Sequence, residues 1–591
     1  MVRLWPGTCC LGIFMLASCR LASGTGGENA GTAGNWSNPG GGFDESRYSR
    51  LSQINTGTVD RLGLAWFLDI PDEQALEATP LAINGVLYFT GRYSKIYAVD
   101  GVSGRILWTH DPEISKHNPR KMQYAFRANR GAAYAEGRIF AGTPDGRLLS
   151  LNARTGELVW SVQTVPRNSK HTVTGAPRVF DGKVVIGNSG ARFGERGYVT
   201  AYDQRTGQMA WRFYTVPGTP DDNARDPVME LAAETWQSEY PKAGRGGTVR
   251  NSITYDAEFD RIYIATGNTG PSDPGPRSPG GGTNLFLASV VALDADNGRY
   301  VWHYQAPSPE AREFDTTTNM IAATLAIRGT RRKVLMHSPS NGRFYALDRE
   351  TGEPISRVKA SDVISANHAG TCDWQPMSFS PRTGLAYIPY VQWGGHHTTA
   401  SGTCGEIPMT APARRHGKAK RHGKPKRHAK EGPASGTGAL IAWDPVARKV
   451  RWKVPYDQAW NGGTLATAGN LVFQGTADGY LAAYDAQAGK RLWRFDTGPG
   501  FVAPPMSFSS RGKQYITVLV AYGTSPEEAG GADGKGRMLT FTLDGKAKLP
   551  PSAGRNKMPS SVGDPALAIE LAGGWQNGGD SAGIARRQTP N

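Results

Sequence analysis

The sequence has little helical periodicity, no apolar run long enough to cross a bilayer as a stable helix, and no composition break that would split its 591 residues into several globular domains. One large repeat architecture is the reading left standing. Seventy-five glycines, 39 prolines and 15 tryptophans describe many short strands joined by tight turns, an all-β composition. Cysteine is scarce, with five in the chain. Its placement follows from the first residues, MVRLWPGTCCLGIFMLASC, where one positive charge and a short apolar stretch lead into Leu16-Ala17-Ser18-Cys19. That is the pattern of a lipoprotein signal peptide over 1–19, with Cys19 acylated after cleavage. An ordinary secretory signal is the alternative. Either way the protein is expected on the periplasmic side of a bacterial membrane, lipid-anchored in the first case and soluble in the second. Cys9 and Cys10 leave with the signal, so Cys372 and Cys404 remain and are expected to pair in an oxidising compartment, two free buried thiols being the alternative.

The formal charge of +16 invites a nucleic-acid reading, yet about half of it lies in ARRHGKAKRHGKPKRHAKEG at 413–432. The rest is only mildly basic, so no nucleic-acid partner is expected. Arg-His-Gly-Lys units cannot bury a core, and an insertion over 411–437 reads as a solvated surface loop. Metal capture by His416, His422 and His428, or docking on anionic headgroups or an acidic partner, are the functional alternatives. The stretch 20–42 reads as a glycine-rich linker and 551–591 as a disordered tail.

One motif recurs along most of the chain: an apolar strand, Asp or Asn, Gly four residues on, Trp eight residues on. It appears at Asp100, Asn152, Asp203, Asp294 and Asp485. Copies at Asp348 and Asp444 have Ser356 in place of Trp and Arg448 in place of Gly, and TFTLDG at Asp544 lacks both. Each copy reads as strand, tight turn and strand, with the tryptophan packing on a neighbouring unit. Such a unit cannot bury both faces alone, and radial stacking with closure solves this. Eight copies predict an eight-bladed β-propeller over 43–550, with Leu62–Ile70 completing the last blade.

Several segments carry more than the repeat: GGGFDESRYSRLSQIN, LEATPLAINGVLYFT, VTGAPRVFDGKVVIGNSGARFGERGYVTAYD, HSPSNGRFYALDRETG, DWQPMSFSPRTGLAYIP and WNGGTLATAGNLVFQGTADG. In these, from about Gly40 to Gly523, the chain resembles the quinoprotein alcohol dehydrogenases, which use pyrroloquinoline quinone (PQQ). The resemblance implies a quinone on the propeller axis, a calcium ion polarising it, and an aspartate base. It places Glu77, Arg130, Thr174, Ser189, Gly190, Ala191, Trp460 and Asn461 among the quinone contacts. Calcium is implied at Asn268 and Asp315, with Asp315 also the base. Cys372 and Cys404 fall where some members have a disulfide.

There are departures. Arg192 replaces the calcium-binding glutamate, Arg250 the tryptophan on which the quinone stacks, Tyr124 and Ala125 the adjacent-cysteine pair, and Ser340 a basic residue near the quinone carbonyls. An arginine beside Asn268 and Asp315 would repel a divalent cation, so calcium is not expected as the family holds it, and Arg192 is expected to supply the positive charge instead. Arg250 is expected to stack on the quinone face. No CxxCH run occurs, so no haem is expected, and electrons from an alcohol substrate would pass to a separate cytochrome c or membrane quinone. The competing reading is a non-enzymatic propeller lipoprotein, an outer-membrane assembly scaffold or a degenerate enzyme.

Overall fold

The repeat folds because its acid caps its own turn. Asp203 Oδ1 accepts the backbone N–H of Arg205 at 3.0 Å and of Thr206 at 2.7 Å, and Asn152 does the same for Arg154 and Thr155. Such an Asx turn reverses the chain in four residues and launches the next strand antiparallel. The computed structural model describes residues 34–73, 76–123, 129–191, 194–236, 246–268, 282–306, 317–355, 375–393, 436–458, 461–498, 500–521 and 536–550.

These residues form eight sheets, the blades of a propeller. Blade 1 holds Leu81–Ile83, Val86–Thr90, Ile96–Asp100 and Ile106–His110 in that order. Blades 2, 3 and 4 repeat the up-and-down order from Ala133–Ala135, Arg178–Phe180 and Ile253–Asp256. Blade 5 shows three described strands from Met320–Ile327, and blade 6 four from Ser378–Ser380. Blade 7 begins at Thr464–Thr467 and gains Tyr48–Ser49 as a parallel fifth strand. Blade 8 is built from both ends of the chain: Leu62–Ile70 pairs antiparallel with Gly536–Leu543, Leu64 opposite Phe541, as expected for ring closure.

Tryptophans join blade to blade. Trp108 Nε1 donates to Ala153 O at 3.0 Å, Trp160 to Gln204 O at 3.2 Å, Trp211 to Ala295 O at 3.2 Å and Trp302 to Arg349 O at 3.3 Å. Trp452 and Trp493 continue the series onto Ala486 O and Leu62 O. Trp66, on the closing strand, donates to Gly101 O of blade 1 at 3.0 Å and joins blade 8 to blade 1. Each indole thus satisfies its one donor, with Trp66, Trp211, Trp302 and Trp452 buried and Trp108, Trp160 and Trp493 half-buried, on the order of 2 kcal/mol for a fully buried side chain.

Residues 34–49 run across the axis and touch the blades one after another. Ser509 N–H of blade 8 donates to Gly34 O, and Trp36 pairs with Ala82 of blade 1. Tyr134 of blade 2 donates to Ser37 O. Glu45 meets Arg178 of blade 3, and Phe43 packs edge-on against Tyr255 of blade 4. Ala322, Phe379 and Ala466 of blades 5, 6 and 7 then donate to Asp44 O, Ser46 O and Arg47 O. The segment read in sequence as linker and blade entrance is, from residue 34, an inner strap.

Candidate active site

First strands of blades 2 and 3, 3 and 4, 4 and 5, and 6 and 7 lie against one another, each at the inner edge of its blade's up-and-down run. The residues just ahead of these strands are therefore delivered to one end of the axis. Glu77 and Thr79 precede Leu81–Ile83, Arg130 precedes Ala133–Ala135, Thr174 precedes Arg178–Phe180, Asn251 precedes Ile253–Asp256 and Asn319 precedes Met320–Ile327. The repeat itself gathers polar groups from distant stretches of chain at a common place.

There Glu77 and Arg130 form an ion pair, Oε2 to Nη2, at 3.3 Å. Arg130 Nη1 donates to Thr174 Oγ1 at 2.9 Å, and Thr174 Oγ1 lies 3.1 Å from Ser189 Oγ. Four of the residues named from sequence thus form one chain of contacts across blades 1, 2 and 3. The loop carrying Ser189, Gly190 and Ala191 is pinned: Ser189 N–H donates to Thr172 O at 2.8 Å, and Gly190 adopts φ +119°. Behind it, buried His171 contacts Glu195 Oε2 through Nδ1 at 3.1 Å and Arg196 O through Nε2 at 2.8 Å. Buried Lys121 donates from Nζ to His171 O, and desolvation lowers its ammonium to about 8.

The axial cavity is lined by Glu77, Thr79, Arg130, Arg178, Asn251 and Asn319 from the blades, with Glu45 and Arg47 from the strap. Burial raises the carboxyls of both Glu77 and Glu45, and Arg130 and Arg178 respectively pull them back. Among the described residues, buried Glu77 Oε2 has only its ion pair with Arg130 and accepts no hydrogen bond, and neither amide atom of Gln375, 5% exposed before the first strand of blade 6, meets a partner. Three arginines face two glutamates in this lining. A lining with a cationic excess and buried polar atoms lacking hydrogen bonds suits carboxylate groups.

Other predicted residues stand nearby. Arg250 is half-buried, and its Nη2 donates across to Thr317 Oγ1 of blade 5 at 3.0 Å. Asn461 is buried and holds its own loop, donating to Gln458 O at 3.0 Å and accepting from Ala477 N–H at 3.2 Å. Asn268 follows the second strand of blade 4, half-buried, and Ser340 is buried in blade 5. Arg192, Asp315, Trp460, Tyr124, Ala125, Cys19, Cys372 and Cys404 lie outside the described residues, as do the basic insertion up to residue 435 and the tail. Sequence reasoning missed Glu45, Arg47, Arg178, Asn251 and Asn319. The signal was at hand for the first two, which sit inside GGGFDESRYSRLSQIN but occupy no repeat position.

The family described as "Glucose/ethanol/alcohol dehydrogenase, beta-propeller domain" (PQQ) matches residues 36–384 and 361–516. The chain is similar to the quinohemoprotein alcohol dehydrogenase ADH IIB of Pseudomonas putida, 43% identical over 562 residues, covering 89% of this chain and 80% of that protein. It is 37% identical over 566 residues to the 1-butanol dehydrogenase (cytochrome c) of Thauera butanivorans, covering 86% and 78%. The solved structure of quinohemoprotein alcohol dehydrogenase ADHIIG from Pseudomonas putida HK5 superposes with a TM-score of 0.77 at 39% identity, covering 90% of this chain and 83% of that one. These relatives correct one expectation. Proteins so similar are quinohemoproteins by name, so the expectation of no haem is withdrawn. The missing CxxCH run bears only on covalent attachment to these residues.

Proposed function

The chain belongs to the PQQ family of glucose, ethanol and alcohol dehydrogenase β-propellers, and from that membership we propose how its axis serves a PQQ-dependent oxidation of alcohols. The observation that carries the reading is the contact run Glu77, Arg130, Thr174, Ser189, whose first two members line one cation-rich cavity. A scaffold has no use for an ion pair and two hydroxyls drawn together from three blades. Bound there, PQQ supplies the two-electron oxidising power that no side chain has.

The protein's own groups do the rest. Arg130 presents a guanidinium suited to a carboxylate, and Glu77 fixes that guanidinium from the opposite side. Thr174 and Ser189 hydroxyls face each other and offer donors at the rim of the same site. The strap excludes water from below, since Pro39, Glu45 and Arg47 close the lining there. On the resemblance, Asp315 takes the alcohol proton, and Arg192, a departure standing where the family has its calcium-binding glutamate, supplies the fixed cation. Electrons go on to a separate acceptor, and the cytochrome c in the name of the Thauera butanivorans relative supports that choice over a membrane quinone. The lipid anchor at Cys19 rests on Leu16-Ala17-Ser18-Cys19, and labelled palmitate incorporated by the protein but not by Cys19→Ser tests it.

The deciding experiment adds PQQ to purified apo-protein and follows thermal unfolding and alcohol-dependent dye reduction. A ligand bound only to the folded state must raise the unfolding temperature. No shift together with no alcohol-dependent reduction overturns the reading.

A further inference from the structure

Arg47 lines the cavity from the strap, and among the described residues no carboxylate makes an ion-pair contact with it, Glu45 acting on it only at longer range. Its side chain is 2% exposed. Nε–H donates to Thr464 O at 2.9 Å, the Nη1 hydrogens to Pro39 O at 2.6 Å and Thr79 Oγ1 at 3.2 Å, and Nη2–H to Pro505 O at 3.1 Å. All four acceptors are neutral. The other lining arginines are matched, Arg130 with Glu77 at 3.3 Å and Arg178 with Glu45 at 2.6 Å. Among the described residues no carboxylate pairs with Arg47, so the single positive charge in excess around this cavity belongs to it.

A cation buried without a counter-ion is disfavoured unless something else offsets its lost hydration. Carbonyl oxygens do part of this by orienting their negative ends toward the guanidinium. An anionic occupant of the cavity does the remainder, because charges in a dry, fixed environment act over longer distances than they do in water.

We propose that Arg47 is a positioning residue for the cofactor: a fixed cation under the cavity that holds a carboxylate-bearing planar quinone on the axis and favours its electron-rich reduced form. This rests on the PQQ-dependent activity assigned above. The strap's second charge has the opposite sense, since Glu45 cancels Arg178 and keeps the excess at one.

Apo-protein is titrated with PQQ by quenching of tryptophan fluorescence, and the midpoint potential of the bound quinone is read by spectroelectrochemistry. Arg47→Met keeps much of the stem and removes the charge, and it is expected to bind PQQ at least tenfold more weakly at a lower potential. Arg47→Lys keeps the charge and is expected within threefold of the unmodified protein. Glu45→Gln raises the net charge of the lining and is expected to bind at least threefold more tightly at a higher potential. A folded Arg47→Met with unchanged affinity and potential overturns the proposal. Should Arg47→Met not fold, Glu45→Gln with unchanged affinity and potential overturns it, as does a tenfold loss in Arg47→Lys, which would make fork geometry and not charge the requirement. Failure of the unmodified chain to bind PQQ is a separate result and removes the activity assignment itself.

Discussion

Gly156 of blade 2 lies flat against the indole of Trp108 of blade 1: a Cβ at Gly156 would stand 2.6 Å from the ring. The same contact joins Gly207 to Trp160, Gly298 to Trp211, Gly352 to Trp302, Gly489 to Trp452 and Gly104 to Trp66. The glycine of one repeat is therefore dictated by the tryptophan of the repeat before it. Gly156 also has φ +76°, so Gly156→Ala combines a clash with a left-handed backbone. It is expected to lose roughly 2–4 kcal/mol of stability in denaturant unfolding. Arg448 of blade 6 has φ +55°, and the repeat before it carries Ser356 where an indole is expected. Arg448→Gly is expected to stay within about 1 kcal/mol of the unmodified protein, and a loss as large as that of Gly156→Ala would refute the pairing.

Arg178 and Glu45 are both buried and meet through Nε–Oε1 at 2.6 Å and Nη2–Oε2 at 3.1 Å. Arg178→Met leaves a buried carboxylate without its partner and is expected to cost about 3–5 kcal/mol. Urea unfolding measures this, and a change under 1 kcal/mol would show that the strap carries no buried charge of consequence.

His337 is 2% exposed, and burial drives its imidazole from 6.5 down to about 4. In the folded protein it stays neutral where the unfolded chain takes up a proton. Its contribution is full above pH 6.5 and is lost as pH falls from 6.5 toward 4, a change of roughly 3 kcal/mol. In His337→Gln the stability-versus-pH curve should be flatter across that window. An acid limb of equal steepness in both proteins contradicts the assignment.

Arg192 stands in sequence where the family has a calcium-binding glutamate. With PQQ supplied, alcohol oxidation is expected to survive EDTA and to fall about a hundredfold in Arg192→Ala, the scale on which one preorganised charge-stabilising group acts. Initial rates with and without chelator decide it, and an unmodified protein that needs added calcium defeats this role.

The blades were readable because the acid, glycine and tryptophan obey a local rule five times in full and in part three times more. The same rule explains the lapses. In the sequence, Ser356 takes the tryptophan position and Arg448 the glycine position of the same repeat-to-repeat pairing. Asp544 lacks a following tryptophan because the strand it should lead into, with Trp66, arrives from the other end of the chain. Glu77, Arg130, Thr174 and Ser189 were legible only through resemblance, since nothing in composition or spacing says that four such residues converge. The strap was not legible. Arg47 bonds to Pro505, 458 positions away, and neither residue holds a periodic place that would announce the partner.

Closure by Leu62–Ile70 also sets an order of events. That strand leaves the ribosome early and finds its mate, Gly536–Leu543, only after nearly all the chain has followed. Until then both remain unpaired edges, open to proteases and to strands of other molecules. Pairing so remote in sequence is slow, and the ring therefore depends on whatever shields its first strand while the last blade is still being made.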